Sequence, residues 1–515
     1  MTAADAVSTA PSRPAIAAKG PNLTIVLAVV LTAVLQVLDS TIVNVALPQI
    51  QAAFGVTSDQ VVWTLTSYIV ASVVVMPLTG LFVRRFGRRR LITAAITGFA
   101  AFSALCGVST SLEMIVAFRI GQGLFGAFLI PLSQAILFDS FPREKRGQAM
   151  AMFGLGVVVA PVIGPTAGAL LTEYFSWRAV FYVNVPIAAF ALIMVSGELK
   201  KEDTKAVRVD WAGLILMGVA IGALQLLLDL GQTRDWFDSH MIQIAAVTVA
   251  VAGVAFVLRG LGRRDNIIDF TLFRDRSFAA ANVAIMGFGV AMYGAMAVLP
   301  IFVQNLLGYP ILESGYLFIP RGFAAALSMI VTGSVLMNRL DPRLVLAAGL
   351  ALTGIGNVML GRLDLAAGFA DLAWPGVVSG LGMGMFFVPM STLAFQNIGP
   401  DRQDEASGIY NVTRSIGSSI GISLVSWQAD SRAQFHWSVL SGHITSYDTA
   451  ARAYLAPLGL DPQSIHGAAM LGAQVRAQAT MMAFQDAFWL TGLAAFAMLP
   501  VVLILQRPPR AAATP

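Results

Sequence analysis

Fourteen strongly apolar stretches, most of about 18–25 residues, follow one another along this chain with charged loops between them. A bilayer's hydrocarbon core is about 30 Å thick and takes roughly 20 apolar residues to cross as a helix. The expected spans are roughly residues 23–47, 61–83, 91–108, 114–138, 148–171, 179–196, 213–230, 241–258, 279–306, 314–336, 344–361, 374–398, 407–427 and 484–505. The expected fold class is therefore all-α, a polytopic membrane protein with 14 transmembrane helices.

Composition closes off most other classes. Of 515 residues, 57% are hydrophobic and 12% charged, about half the charge of a typical soluble domain. The single cysteine, Cys106, falls in an apolar stretch, so neither a disulfide framework nor a cysteine metal site is available. No Gly-Lys dipeptide and no His-Glu-x-x-His segment occur, which excludes a phosphate-binding P-loop and that zinc motif. Gly417-Ser-Ser419-Ile-Gly421 has the spacing of a serine nucleophile, but His240, His436, His443 and His466 all fall in loops or at an edge. An enzyme is therefore not expected, nor a cofactor. The remaining energy source is an ion gradient, in which each charge crossing 100 mV is worth about 2.3 kcal/mol.

Basic residues set the expected orientation. The segments on the side of the N-terminal tail hold 24 of the 33 Lys and Arg, the opposite loops hold six, and Arg119, Arg321 and Arg414 lie within spans. Positive residues stay cytoplasmic, so both termini are expected inside. The pI near 9.5 thus reflects topology, and no nucleic-acid partner is expected. Residues 1–22 read as a disordered cytoplasmic tail with no cleavable signal, and 506–515 as a second tail.

The chain also repeats itself. Gly126-Ala-Phe-Leu-Ile-Pro131-Leu-Ser133 returns as Gly384-Met-Phe-Phe-Val-Pro389-Met-Ser391, and the loop Gly80–Arg90 has a degenerate echo in Gly333–Arg343. This divides the chain into a six-helix bundle over 23–196, a linker with two inserted helices over 197–278, and a second six-helix bundle over 279–505. Parallel repeats around a central site are a transporter arrangement. The long external segment 428–483 is expected to form short amphipathic helices over the outer mouth.

Several motifs carry a family resemblance. Gly80-Leu-Phe-Val-Arg84-Arg85-Phe-Gly87-Arg88-Arg89-Arg90 resembles the signature loop of the major facilitator superfamily. Arg119-Ile-Gly-Gln122-Gly123 looks like its buried-arginine motif, and Ala160-Pro161-Val-Ile-Gly164-Pro165-Thr-Ala-Gly168 like its antiporter motif. Leu38-Asp39-Ser40-Thr41 through Pro48, Trp177-Arg178 with Phe181, and Asn184-Val-Pro186 narrow the resemblance to 14-helix drug:proton antiporters. So do Leu226–Asp229 with Gly231 and Asp235-Trp236-Phe237, and Asn411-x-x-Arg414-x-x-Gly417-x-Ser419-x-Gly421. Within that group the chain looks closer to EmrB-type pumps than to QacA-type ones. One departure stands out: Arg84 occupies a position where an acid is common in the gating loop, so another closing interaction must stand in.

The buried charges suggest roles. An acid at the centre of a membrane helix costs about 2.5–3.5 kcal/mol on insertion scales, so Asp39 must face protein or water. It is either a proton-coupling carboxylate or a cap on an unwound Asn44–Pro48 end. Arg119 is the expected partner of Asp39, directly or through Gln122; the alternative is that it pins backbone carbonyls. Asp229 belongs to an interface or to coupling. Arg321 receives an anionic substrate group or pairs with an acid, and Arg414, near the inner end of its span, snorkels or contacts substrate. Gly80, Gly87, Arg88 and Arg89 form the expected gating loop. Pro161, Gly164, Pro165 and Gly168 leave the fifth helix kinked and able to approach a neighbour closely, as a seal or as simple packing.

The resemblance implies exchange of protons for amphipathic small molecules across a bacterial inner membrane, with a periplasmic membrane-fusion adaptor and an outer-membrane channel as partners. Two alternatives stay open: a narrow-specificity exporter of a metabolite, fatty acid or aromatic acid, and a non-transporting receptor or scaffold.

Overall fold

The computed structural model describes residues 23–142, 145–199, 210–261, 268–445 and 447–506, and every regular element among them is helical. The tails 1–22 and 507–515 and the linker residues 200–209 and 262–267 lie outside the described residues. The long helices are α1 (Leu23–Phe54), α2 (Trp63–Phe86), α3 (Arg88–Val108), α4 (Leu112–Ser140), α5 (Arg146–Tyr174), α6 (Ala179–Gly197), α7 (Trp211–Leu230) and α8 (His240–Gly260). They continue with α9 (Arg276–Leu306), α10 (Glu313–Arg339), α11 (Pro342–Leu360), α12 (Phe369–Phe395), α13 (Gln403–His443) and α14 (Ile465–Val502).

Thirteen of these helices are long and apolar enough to cross a bilayer; α13 is not among them. It holds the expected span 407–427, but its buried face carries Gln403, Asp404, Glu405, Ser407, Asn411 and Arg414. A helix enclosed by other helices meets protein, so its polar side chains find partners there.

The two bundles meet where α5 packs on α10 and α12, and where α13 packs on α2 and α4. Phe138 of α4 meets Phe395 of α12 with ring centroids 5.6 Å apart. The inserted α7 packs against both α2 and α13, with α8 outside it. A Cβ on Gly126 would meet Phe99 of α3 and Tyr68 of α2, and one on Gly384 would meet Ser328 and Met329 of α10.

α5 is assigned as one helix through Pro161 and Pro165, and its glycines make the expected close approach, Gly164 to Thr41 and Gly168 to the Ile42 carbonyl. Two expectations are corrected, on α1 and on segment 428–483. First, α1 continues as one helix through Pro48 to Phe54, so the Asn44–Pro48 end is not unwound. Second, segment 428–483 does not form only short helices over the mouth. α13 runs on to His443 and α14 begins at Ile465, leaving between them, among the described residues, the short helix Thr449–Leu455 and a 3-10 turn at Ala456–Leu458. At 1.5 Å per residue α13 is about 60 Å long, twice the hydrocarbon thickness. The two extensions are joined by Asp486, which contacts Arg432 Nε and His436 Nε2 at 2.9 Å each. Arg476 stacks over Trp437.

Candidate functional site

Asp39 and Arg119 form a buried ion pair inside the first bundle. Arg119 Nη1 donates to Asp39 Oδ2 at 2.6 Å, and both side chains are fully buried. Arg119 Nη1 also donates to Gln122 Oε1 at 2.9 Å and Arg119 Nε to the Thr64 carbonyl at 2.9 Å. Its guanidinium lies 4.1 Å from the centroid of the Tyr68 ring. Arg119 therefore pairs with the acid and pins a backbone carbonyl at once.

The other carboxylate oxygen is equally occupied. Asp39 Oδ1 accepts from Gln122 Nε2 at 2.9 Å and from Asn184 Nδ2 at 2.7 Å. Asn184 in turn reaches Ser103 Oγ at 3.1 Å. α4 and α6 thus bind the carboxylate of α1 directly, and α2 and α3 join through Arg119 and Asn184, all within the first bundle. Next to it, Gly164 of α5 seats on Thr41, two residues along α1 from Asp39. Asn184 stood in the family motif, but nothing in its sequence neighbourhood marked it as a ligand of Asp39.

A second cluster joins the two halves. Arg84 Nη1 meets Glu405 Oε2 at 2.7 Å, and Arg88 Nε meets both oxygens of Asp404 at 2.9 Å. Arg88 Nη2 also pairs with Asp139 at 2.8 Å. Arg84 and Arg88 belong to the first half, and Asp404 and Glu405 open α13 of the second. These two acids are the ion-pair partners of Arg84 and Arg88 across the halves. Glu405 Oε1 further accepts from the Asp269 backbone N–H at 2.7 Å, and Arg402 Nη2 pairs with Asp269 Oδ2 at 2.6 Å. The segment leading from the inserted helices into α9 is therefore tied to the same cluster.

The gating glycines divide by role. Gly87 has φ +82°, a left-handed turn that suits glycine. Gly80 is not in a turn; it sits within α2, where a Cβ would lie 2.5 Å from Glu405 Cβ. Its absence of a side chain lets α2 and α13 touch. Arg89 does not join this cluster; its Nη2 donates to the Ser196 carbonyl at 3.0 Å within the first half.

Above the gate, Ser407 and Asn411 of α13 donate to Gln134 Oε1 of α4 at 3.0 and 2.7 Å. A cavity of about 10 Å³ lies between the halves, lined in part by Gln134, Ser391, Tyr410, Asn411 and Arg414, room for a single water. Arg414 does not snorkel. α13 starts at Gln403, so Arg414 stands about 16 Å along it and is buried. Its Nη1 reaches Tyr293 Oη of α9 at 3.5 Å. Arg321 of α10 is 6% exposed. It has neither a hydrogen bond nor an ion pair among the described residues.

Asp229 lies one residue from the end of α7. Gln225 Nε2 donates to Asp229 Oδ1 at 2.8 Å and to Ser419 Oγ at 2.6 Å, linking the insert to α13. Ser419 is thus a structural acceptor. The flanking Gly417 and Gly421 seat α13 on Met286 and Val290 of α9, which accounts for the Gly-x-Ser-x-Gly spacing.

Residues 29–422 match the family described as the Major Facilitator Superfamily. The chain is 34% identical over 483 residues to the fatty acid resistance protein FarB of Neisseria gonorrhoeae, covering 92% of this chain and 94% of FarB. It is 31% identical over 498 residues to the multidrug export protein EmrB of Escherichia coli strain K12, covering 95% and 96%. Among solved structures it resembles the human organic anion transporter MFSD10, with a TM-score of 0.59 and 14% identity over 93% of this chain and all of that one. The proton:xylose symporter XylE gives a TM-score of 0.59 and 13% identity over 93% and 94%. These two likenesses concern the fold. The arrangement of helices, the buried acid–base pair and the extent of the sequence match lead to one conclusion: the chain is a multi-pass transporter that belongs to the Major Facilitator Superfamily, among its EmrB-type export proteins.

Proposed function

We propose that this transporter exchanges an inward-moving proton for an outward-moving amphipathic small molecule across a bacterial inner membrane, with both termini in the cytoplasm. The observation that carries the reading is the fully buried Asp39–Arg119 pair. Both oxygens of Asp39 accept from buried donors, so a proton arriving there competes with the Arg119 ion pair. A proton on Asp39 would cancel half of a buried pair, and breaking such a pair costs about 3–5 kcal/mol. Arg119 already touches the Thr64 carbonyl, Gln122 and the Tyr68 ring, so released from Asp39 it would lean on α2. Since α2 carries Gly80 and Arg84 to the inner gate, protonation would be transmitted to the closing contacts.

The printed names of the relatives, multidrug export and fatty acid resistance, agree with export. The excess of Lys and Arg on one side supports the orientation. A periplasmic membrane-fusion adaptor and an outer-membrane channel complete the proposal, and the paired extensions of α13 and α14 offer the adaptor a surface outside the bilayer. Purified protein in proteoliposomes tests the central claim. Cargo flux should follow an imposed pH gradient in the native chain and ignore it in Asp39→Asn. Gradient-driven flux that survives this substitution would overturn the reading.

A further inference from the structure

We propose that Gln36 is a positioning residue for proton coupling: by holding a break in α4, it passes the state of Asp39 on to the contacts between the two halves. This rests on reading Asp39 as the proton site and names the residue through which that site acts.

α4 is two helices in line, Leu112–Gly126 and Leu129–Ser140, with a turn at Ala127 and Phe128 between them. Pro131 weakens the chain there. A proline inside a helix has no N–H for the carbonyl four residues back, here Ala127, and its ring crowds that carbonyl. Groups freed by the opening need partners from outside the helix, since the bilayer offers none. Gln36 of α1 is such a partner: its Oε1 accepts from the Ile130 backbone N–H at 3.1 Å, and its side chain is buried. Proline alone does not impose the break. The matching Pro389 of the repeat lies in α12, which forms one helix from Phe369 to Phe395, and no side chain takes the Val388 N–H there among the described residues.

The break falls between two groups of contacts. On its outer side α4 carries Arg119 and Gln122, which hold Asp39. On its inner side Gln134 accepts from Ser407 and Asn411 of α13, Phe138 meets Phe395 of α12, and Asp139 pairs with Arg88. Every residue from Leu129 to Phe138 is buried, so the inner segment cannot shift without its neighbours. Gln36 and Asp39 are three residues apart on α1, hence on one face and about one turn from each other. α1 therefore grips α4 on both sides of its break, through Asp39 on the outer side and Gln36 on the inner.

A proton acts on one grip only. The titratable and charged groups around Asp39 are Arg119 of α4, Tyr68 of α2 and Cys106 of α3, while α6 supplies the neutral Asn184. Protonation removes the charge that Arg119 pairs with, but the Gln36 bond to Ile130 does not titrate. The outer segment is then free to turn while the inner one stays fixed to α1, and the angle at Ala127–Phe128 changes. Helices bend sharply where a proline stands or a side chain enters the ladder, and here both coincide. A few residues at the ends of elements suffice for a hinge.

Full-length protein in nanodiscs, spin-labelled through cysteines at the exposed Ile120 and the half-buried Ser140, reports that angle as a distance across the break. The native Cys106 is buried and stays in place. An infrared carboxyl band that is missing in Asp39→Asn reports the proton separately. From alkaline to acid buffer the label distance should shift by about 2 Å or more in the native chain. Gln36→Leu should keep the band, lose the shift and lower proton-driven flux in proteoliposomes about tenfold, and Gln36→Glu, which retains an acceptor, should recover much of the shift and flux. Pro131→Ala closes the ladder and should lose the shift as well, which provides a second variant where Gln36→Leu fails to fold. A native-like shift in either variant, loss of the band together with the shift in Gln36→Leu, or a native distance that ignores pH overturns the proposal. Failure of the proton-exchange reading would appear instead as gradient-driven flux that survives Asp39→Asn.

Discussion

Arg84 and Glu405 stand 321 residues apart in the chain and meet at 2.7 Å across the two halves. The two halves are therefore joined by an ion pair with the cation in the last turn of α2 and the acid on α13. Glu405→Arg should hold the inner face open and cut transport about tenfold, and Arg84→Glu combined with Glu405→Arg should restore much of it. Labelling of a cysteine placed at Gln134 by a membrane-impermeant reagent from the inner side would read the change directly. Equal labelling in the single and double variants would count against an electrostatic latch.

Asp39→Asn removes the charge but keeps the size and an acceptor for Gln122 and Asn184. Its fold should survive while proton-driven flux falls below about a tenth of native. Arg119→Met leaves the carboxylate buried without its cation and should cost about 3–5 kcal/mol of stability, visible as a lowered melting temperature in detergent.

Gly421→Val places a Cβ about 2.6 Å from Val290 Cα on α9. Overpacking of this kind costs about 1–3 kcal/mol, so melting temperature and transport should both drop. Gly253→Val on α8 is the control, since a Cβ there meets nothing within 4 Å. A native-like Gly421→Val would show that the α9–α13 seam is loose.

The strap at Asp269 should respond to acid. Burial raises its carboxyl, but the hydrogen bonds from Thr271 and the nearby Arg402 and Arg84 outweigh this and hold it below the usual carboxylate range. A depressed folded value means that the tether contributes above the unfolded value near 3.9 and is lost as pH falls through the folded one. Hydrogen exchange at residues 268–275 should therefore be slow at neutral pH and rise in strong acid. Asp269→Asn should flatten that profile.

The spans were legible because lipid punishes any other arrangement of so many apolar residues, and charges such as Asp39 and Arg119 stood out against that background. Contacts that depend on two distant segments were not. Asp404 and Glu405 read as ordinary loop acids until Arg88 and Arg84 are placed against them from the other half of the chain. Asn184 and Gln134 look like any amide in an apolar helix, and only tertiary packing turns them toward Asp39 and α13. Arg414 was misplaced because the helix begins at Gln403, before its apolar run, and Gly80 because a glycine for helix contact and one for turning look alike in sequence.

α13 runs without interruption from Asp404 and Glu405 at the junction of the halves to its far end at His443. If it tilts as a rod about the glycine seam near Ser419, the inner arm is about 23 Å long and the outer arm about 36 Å. Each ångström of travel at Asp404 then becomes roughly one and a half at His443. A protein seated on that far end would feel every turnover as a mechanical stroke.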